Sequence, residues 1–449
     1  MKKNVVWFAA ALCAAGAANA EETLWTKYRH WEVVPVLTED PDAGTNVRQQ
    51  MDFTKPWHGP WLINPSITGM TVGMVTRIRV GAAIEWREKG TEAWTRRWNA
   101  KCGTIDYSED VHLFHLRDLK PGTVYEYRFV TAMSGLETAY TGIVVGRETY
   151  SFTTMDPKRD RYRVWATADF HGGARLNLDP MYERTEAEKA DFYLLLGDNV
   201  EDRFASDAMV YVTYGYMDDI CRLWGKRKPT VFVRGNHDAS GQHIGQWGRF
   251  QGHPSGCNYF SFTQGPVLWV VLDTNKEWQN SPAGKEQLAA YLKEQLEWLR
   301  GLKKTDAWKR ATYRVVCNHF GWPADAAESA NLGPDVAAEL NDATPEGRIH
   351  LFLAGHTHVY TRHDPGAAAL KAFPAGRPNK KGVLPPPYAS KEDLTQFKYC
   401  QVIGRQCETL TLDVSPEKIV VRSRDWRKPG LPDYDAFELF PDGSVKDLK

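Results

Sequence analysis

The sequence predicts an α/β layered architecture, preceded by a small all-β sandwich. Three observations support this fold class. Strands that alternate apolar and polar residues dominate residues 61–155, and such alternation is typical of half-buried strands. From residue 162 onward, apolar strands alternate with helical segments, which is the pattern of α/β layers. Polar clusters follow five of these strands, at the sheet end where α/β proteins usually carry a site.

Length and composition narrow the class of protein. The 449 residues are enough for about two to three domains. The 56 basic and 56 acidic residues give a net charge of zero. Overall charge therefore indicates neither a nucleic-acid-binding patch nor anionic-membrane binding. The hydrophobic content of 42% suits a packed globular protein. No sequence feature defines the oligomeric state.

The first 20 residues are predicted to be a secretory signal peptide. Lys2 and Lys3 precede an apolar stretch at 5–12, and the Ala-Asn-Ala triplet at 18–20 matches a signal-peptidase site. The apolar stretch is too short to span a membrane easily, and no later run is long enough. We therefore expect cleavage near Ala20, no transmembrane segment in the mature chain, and export to the periplasm or the outside of a bacterium. That compartment permits disulfides, and Cys400 and Cys407 are close enough in sequence to bridge a local loop.

Residues 21–155 divide into an extension and a β region. Residues 21–60 are irregular and contain several Trp and Pro. Residues 83–87 alternate apolar and polar side chains, and residues 119–129 (LKPGTVYEYRF) form a turn followed by another alternating strand. This stretch resembles the turn and the tyrosine-bearing strand of fibronectin type III domains. A fibronectin III-like sandwich is therefore expected over residues 61–155, with another small β-sandwich as the alternative.

The α/β region is expected over residues 160–440. Six apolar runs predict its strands, at 162–168, 192–196, 230–233, 267–272, 313–317 and 350–354. Helices are predicted at 180–190, which is rich in helix formers, and at 284–303, where Leu288, Leu292 and Leu299 share one face. Residues 362–398 are rich in Pro, Gly and Lys and predict a long loop at the rim of a site. Strand-like alternation returns at 408–440 and is expected to finish the sheet.

The five polar clusters supply oxygen and imidazole donors. They are Asp169-Phe170-His171, Gly197-Asp198-Asn199, Gly235-Asn236-His237-Asp238, Asn318-His319 and Gly355-His356-Thr357-His358. None contains a thiolate, and mixed carboxylate, amide and imidazole donors suit Fe, Zn or Mn better than a structural Cys-based zinc site. The donors outnumber the ligands of one tetrahedral site, which favours two metal ions.

The order of these motifs resembles that of the calcineurin-like metallophosphoesterase superfamily, over about the last two thirds of the chain. The β region before them resembles the N-terminal domain of purple acid phosphatases. The resemblance implies a layered β-sandwich flanked by helices and a hydrolase acting on phosphoric ester bonds. It also implies two metal sites that share Asp198, with His237 beside the bound phosphate as the proton donor. The implied ligands are Asp169, His171, Asp198 and His358 for one ion, and Asp198, Asn236, His319 and His356 for the other.

One position departs from the purple acid phosphatases. Those enzymes have a Tyr ligand three residues after the bridging Asp, where this chain has Glu201, so the site resembles the non-purple branch. Phosphoprotein phosphatases place an acid at this offset to orient the catalytic His, which makes Glu201 a candidate to orient His237. A solvated loop acid is the equal alternative. Arg175 and Arg203 follow two of the motifs and could hold a substrate phosphate or form surface salt bridges.

The function that the resemblance implies is an exported phosphoesterase that uses a metal-activated water, with phosphomonoesters as the expected substrates. A phosphodiesterase or nucleotide hydrolase stays open, because the metal ligands are common to all three and the pocket decides specificity. A third alternative is a non-catalytic surface-binding protein, whose Trp-rich N-terminal region would bind glycan. Lost metal ligands would favour it, and none of the expected ligands is missing.

Overall fold

The structure is a computed structural model and describes most of the chain beyond residue 55. The described residues are 56–133, 142–146, 148–171, 178–199, 216–239, 246–273, 282–321, 334–368, 371–373 and 397–448. The predicted signal peptide and nearly all of the predicted N-terminal extension lie outside these residues.

Strands dominate the described chain and are numbered in chain order. Those before residue 160 are β1 (Pro56–Ser66), β2 (Gly69–Thr76), β3 (Gly81–Glu88), β4 (Thr95–Trp98), β5 (Ala100–Lys101), β6 (Thr104–Ile105), β7 (Val111–Leu116), β8 (Val124–Met133), β9 (Gly142–Val145) and β10 (Tyr150–Thr153). Those that follow are β11 (Tyr162–Thr167), β12 (Phe192–Leu195), β13 (Thr230–Phe232), β14 (Phe260–Gln264), β15 (Val267–Val271), β16 (Tyr313–Cys317), β17 (Leu351–Ala354), β18 (Tyr360–His363), β19 (Lys371–Phe373), β20 (Cys400–Ile403), β21 (Thr409–Val414), β22 (Ile419–Arg424), β23 (Asp433–Leu439) and β24 (Val445–Asp447).

The helices are fewer and lie outside the sheets. They are α1 (Leu178–Arg184), α2 (Gln246–Gln251), α3 (Pro282–Lys303), α4 (Asp306–Arg310) and α5 (Pro334–Leu340), with a 3₁₀ turn at Ala187–Lys189 and a π-helical turn at Cys221–Gly225.

Two large sheets form the α/β region. The ten-stranded sheet has the order β24-β23-β22-β21-β11-β12-β13-β1-β2-β7, and the seven-stranded sheet has the order β14-β15-β16-β17-β20-β18-β19. At the centre of each sheet the strands are parallel: β11, β12 and β13 in the first, and β15, β16, β17 and β20 in the second. The carboxyl ends of the parallel strands in each sheet therefore lie at one edge, from which loops can converge.

The two sheets pack face to face with helices on both outer faces. Val164 and Leu194 of the first sheet share one buried cluster with Trp269 and Val315 of the second. Their neighbour Trp165 faces the other way, into a cluster that includes residues of α1 and α2. Such reversal at every residue is the period of a strand. A third cluster joins the outer face of the seven-stranded sheet to α3, α4 and α5. The predicted layered β-sandwich flanked by helices is confirmed.

The N-terminal β region shares a sheet with the α/β region. A five-stranded sheet of β10, β8, β3 and β4, with β9 beside β8, packs on β1, β2 and β7 through a cluster that contains Leu62, Phe114 and Phe129. In turn β1 pairs with β13 at Ile63 and Thr230. The expected boundary at residue 60 falls inside β1. The division into separate domains stays a prediction.

The predicted strand at 313–317 and the predicted helices agree with the structure, whereas the loop and the disulfide differ from it. The strand predicted at 313–317 coincides with β16, and the helix predicted at 284–303 begins two residues earlier, as α3. The helical segment at 180–190 is α1 followed by a 3₁₀ turn. Residues 362–398 are not a continuous loop, because β19 pairs with β18 inside this range; residues 369–370 and 374–396 lie outside the described chain. Cys400 and Cys407 are both free thiols, so the suggested bridge between them is absent.

Acid should destabilise the fold through His350, which stands five residues before Gly355 of the GHTH motif and is not one of the candidate ligands. Its ring is 2% exposed; Nδ1 accepts a hydrogen bond from Arg314 N at 3.1 Å, and Nε2 donates to Pro441 O at 3.0 Å. Burial lowers the pKa of His350 to about 4. Because the unfolded chain binds this proton at about pH 6.5, the stability contribution is present above pH 6.5 and is lost as the pH falls towards 4. The loss should be about 3 kcal/mol.

Urea unfolding of wild type and His350→Gln at pH 7 and pH 4 measures this contribution. Glutamine can keep both hydrogen bonds and cannot titrate, so its stability should fall less with acid. His112, whose pKa burial also lowers to about 4, stays in both proteins and contributes equally to each. Equal losses in the two proteins would contradict the assignment.

Candidate metal centre

The residues of the five predicted clusters come from loops at the carboxyl ends of parallel strands in both sheets. Asp169 and His171 follow β11, Asp198 follows β12, and Asn236 follows β13. From the second sheet, His319 follows β16, and His356 and His358 follow β17. The sandwich of sheets thus brings together side chains that are up to about 190 residues apart in sequence.

One group of possible ligands consists of Asp169, His171, Asp198 and His358, with ligand atoms within 4.8 Å of one another. The Nε2 atoms of His171 and His358 lie 2.9 Å apart. Asp169 Oδ1 lies 3.4 Å from His358 Nε2 and 3.8 Å from His171 Nε2. Asp169 is fully buried, whereas the His358 side chain is 41% exposed. One side of this group is therefore open to a substrate.

A second group consists of Asp198, His319 and His356, again within 4.8 Å. His319 Nε2 lies 3.2 Å from Asp198 Oδ1 and 3.2 Å from Asn236 Oδ1. His319 Nδ1 donates to Leu196 O at 2.8 Å, which leaves the Nε2 lone pair for a metal. A partner that fixes the tautomer in this way is typical of metal-binding histidines.

Asp198 is common to both groups. Its Oδ1 faces His319 at 3.2 Å, and its Oδ2 faces His171 at 3.8 Å. The carboxylate is 2% exposed, so its two oxygens are directed by the protein rather than by solvent. One carboxylate with an oxygen towards each ligand group has the geometry of a bridging ligand.

The loops that carry these residues have unusual backbones. Positive φ angles occur at Asp169 (57°), His171 (46°), Asp198 (50°), His356 (73°) and His358 (59°). Such angles in non-glycine residues cost roughly 1–3 kcal/mol each and cluster at functional sites. Two glycines allow close approach: a Cβ at Gly197 would lie 2.3 Å from His319 Nδ1, and one at Gly235 would lie 2.2 Å from Asp198 N. The glycines of the GDN and GNHD motifs are therefore required for packing at the centre.

The electrostatics of the centre favour bound cations. Burial alone would raise the pKa of Asp198, but the His319 charge and hydrogen bonds from His319 and His237 hold it well below its usual range. Burial alone would lower the pKa of His319, but the Asp198 carboxylate raises it to about 9. Burial lowers the pKa of His171 to about 4. Metal ligation needs a neutral imidazole. His319 would release its extra proton to a metal ion, and His171 is already neutral near pH 7. The donor set therefore fits the expected ions.

His237 lies beside the two groups and belongs to neither. Its backbone N donates to Asp198 Oδ1 at 2.8 Å, and its ring meets that of His171 edge-on, with centroids 4.6 Å apart. Its Nε2 lies 3.8 Å from Asp198 Oδ2, and its side chain is 24% exposed. The imidazole is close enough to act on a substrate held at the centre.

Asp238, Asn199 and Cys407 support the centre and were not assigned a role in it from the sequence. Asp238 accepts hydrogen bonds from Asn199 N at 3.0 Å and Gly235 N at 2.8 Å, which ties the GDN and GNHD loops together. Burial, and then the Asp198 charge, raises the pKa of Asp238 to about 7. Asn199 and Asp238 both stand in the motifs, so the pattern could have suggested their contact. Cys407 has no such signal, yet its Sγ lies 3.4 Å from Asp169 O.

The predicted residues Glu201, Arg175 and Arg203 lie outside the described part of the chain. Their assigned roles stay predictions.

Comparisons with known proteins agree with this fold. Residues 162–360 match the family model of the calcineurin-like phosphoesterases. Among solved structures, the chain is similar to that of PhoD, with a TM-score of 0.55 and 12% identity over 87% of this chain and 91% of that chain. It is also similar to purple acid phosphatase PPD1 from yellow lupin (Lupinus luteus) seeds, with a TM-score of 0.55 and 12% identity over 87% of this chain and 77% of that one. At these identities the two structures show the fold alone. A search of curated proteins found no significant match.

The fold and the family match together define the class of protein, which is a hydrolase acting on phosphoric ester bonds. Residues 162–360 are a calcineurin-like phosphoesterase domain.

Proposed function

We propose that this protein is an exported phosphomonoesterase with a dinuclear metal centre. The observation that carries the proposal is the position of Asp198 between two ligand groups, with Oδ1 at 3.2 Å from His319 and Oδ2 at 3.8 Å from His171. A single-metal site would need neither the second group nor a carboxylate directed to both.

The proposed ligands follow from the two groups. Asp169, His171, Asp198 and His358 hold one ion, and Asp198, Asn236, His319 and His356 hold the other. These donors suit Fe, Zn or Mn. When bound, two such ions activate a water molecule and stabilise the phosphate oxygens. Because only Asp169 and Asp198 are anionic, two divalent ions would leave a net charge of about +2 for the ester.

His237 is the proposed proton donor to the leaving oxygen. Its backbone N is held by Asp198 Oδ1, its Nε2 lies 3.8 Å from Asp198 Oδ2, and its exposed fraction of 24% leaves the imidazole open to a substrate. Glu201 is proposed to orient this imidazole, and Arg175 and Arg203 to hold a substrate phosphate. These three roles rest on motif position alone.

The protein should bind two metal ions per chain and show no purple colour. The two ligand groups predict the stoichiometry, and Glu201 at the position of the tyrosine ligand predicts the missing colour. Elemental analysis after loading with Fe, Zn or Mn measures the first, and a visible spectrum of the same sample measures the second. One ion or fewer in an active, fully loaded preparation would contradict the dinuclear centre. A strong tyrosinate charge-transfer band would contradict the branch assignment.

Substrate class is decided by turnover of nitrophenyl phosphate against bis-nitrophenyl phosphate in the same metal-loaded sample. The proposal expects the monoester to be hydrolysed faster. Preference for the diester would favour a phosphodiesterase with the same ligands, because the pocket around a common metal centre sets specificity.

Export is proposed from the N-terminal signature alone, which lies outside the described residues. None of the described helices has the length and apolar character of a membrane span. Mass spectrometry of the protein from a periplasmic fraction should find a chain that begins near residue 21. An intact Met1 in that fraction would contradict signal cleavage.

A further inference from the structure

A buried ion pair lies next to the centre and contains none of its ligands. Arg234 follows β13 and is 7% exposed, and Asp273 follows β15 and is 1% exposed. Asp273 Oδ2 accepts hydrogen bonds from Arg234 Nε at 3.0 Å and Nη2 at 2.6 Å. Since β13 belongs to the ten-stranded sheet and β15 to the seven-stranded sheet, this pair connects the two layers.

Helix α3 holds Asp273 through three hydrogen bonds. Tyr291 donates its hydroxyl to Asp273 Oδ2 at 2.8 Å. The side chain of Gln295, which is fully buried, holds the Asp273 backbone: Oε1 accepts from Asp273 N at 2.7 Å, and Nε2 donates to Asp273 O at 2.9 Å. Asp273 is therefore a fixed anchor for the guanidinium of Arg234.

The pair is close in sequence to two ligands of the second group. Arg234 stands two residues before Asn236. Leu272, which precedes Asp273, donates its backbone N to Cys317 O at 2.9 Å, and Cys317 stands two residues before His319. Asn236 Oδ1 and His319 Nε2 lie 3.2 Å apart. The ion pair thus joins the two loops whose ligands must converge on one ion.

The first ligand group depends on other contacts. Asp169 N donates to Gly197 O at 3.0 Å, and His171 N donates to Asp198 O at 2.9 Å. The carboxylate of Asp169 accepts from His356 N at 3.1 Å. None of these contacts passes through Arg234 or Asp273. A defect in the ion pair should therefore act unequally on the two metal sites.

We propose that the Arg234–Asp273 pair, anchored by Tyr291 and Gln295, positions Asn236 and His319 for the ion of the second group. Packing alone does not explain it, because a buried ion pair can often be replaced by apolar side chains without loss of stability. Both residues are positioning residues and contact no substrate. The inference rests on the dinuclear centre proposed above.

Metal titration of Asp273→Asn tests the inference. The variant keeps the shape of the side chain and removes its charge. In a titration with buffered Zn²⁺ or Mn²⁺, binding of the ion of the second group should weaken by about 10–100-fold, the usual effect of losing a partner of a metal ligand. Binding of the ion of the first group should keep its wild-type constant. The double variant Arg234→Met/Asp273→Leu removes both charges of the pair. It should regain thermal stability, but its binding of the ion of the second group should stay weak.

Glu85→Gln is the matched control. Glu85 is also buried in an ion pair, with Oε2 at 2.6 Å from Arg128 Nε, but it lies in β3 of the five-stranded sheet. It should lose thermal stability and keep both binding constants. Two wild-type constants in Asp273→Asn, or in the double variant, would overturn the positioning role. Equal weakening of binding at both groups would overturn its selectivity. Fewer than two ions on the wild-type protein would instead contradict the dinuclear centre itself.

Discussion

Replacing Asp198 with alanine should remove both metal ions from the protein and abolish hydrolysis of all phosphate esters alike. Asp198 is the only described residue that belongs to both ligand groups. Without its oxygens, three ligands remain in each proposed set, and the two sets are no longer connected. Stabilisation of the transition state by bound metal is worth several kcal/mol, so turnover should fall by at least about 10³-fold. Elemental analysis and nitrophenyl phosphate turnover measure the two effects.

The design must separate loss of metal from loss of fold, because Asp198 Oδ1 also accepts the His237 backbone N at 2.8 Å. Asp198→Asn keeps an oxygen at that place and should still lose the bridge. Asp413→Ala is the control: this carboxylate on β21 pairs with Arg163 and is 38% exposed, and its loss should leave both ions bound. Two tightly held ions in Asp198→Ala, or wild-type turnover of any ester, would contradict the bridging role.

The local sequence predicts the central strands well. The run at 313–317 is apolar enough to define β16 to the residue, and the apolar run at 230–233 gives β13 to within one residue. Parallel strands buried on both faces read as short, nearly continuous apolar runs, and the length of four to eight residues favours a strand over a helix. The candidate ligands also stand directly after such runs, and the fold brings them together; their role as ligands stays a prediction. Convergence of the motifs then follows from the topology of the fold.

Contacts between distant segments could not be predicted from local pattern. The pairing of β1 with β13 joins Ile63 to Thr230, and no periodicity in either strand identifies its partner. Asp273 stands alone after β15, and only the face-to-face packing of the two sheets brings it to Arg234. β19 is three residues long and lies within a segment whose composition is typical of loops. Its pairing with β18, rather than its sequence, makes it a strand.

Replacing His237 with alanine should leave both ions bound and slow the reaction, most of all for esters with poor leaving groups. The His237 side chain is in neither ligand group, so its loss removes no donor from them. A positioned general acid contributes about 10²–10⁴-fold in rate, and alkyl phosphates should lose that factor. Nitrophenolate leaves without a proton, so nitrophenyl phosphate should lose much less. The ratio of the two losses, measured in one metal-loaded preparation, reports proton donation separately from binding.

His253→Ala controls for the removal of an imidazole. That ring stacks on Phe260, with centroids 4.4 Å apart, and lies outside both ligand groups, so its loss should leave both turnover rates unchanged. Loss of metal from His237→Ala would make the residue a ligand and contradict the division of the site. Retained metal with equal losses for alkyl and nitrophenyl esters would show that His237 stabilises the phosphoryl oxygens by charge. The backbone bond from His237 to Asp198 survives the substitution, so the shared carboxylate keeps its place and any rate loss belongs to the imidazole.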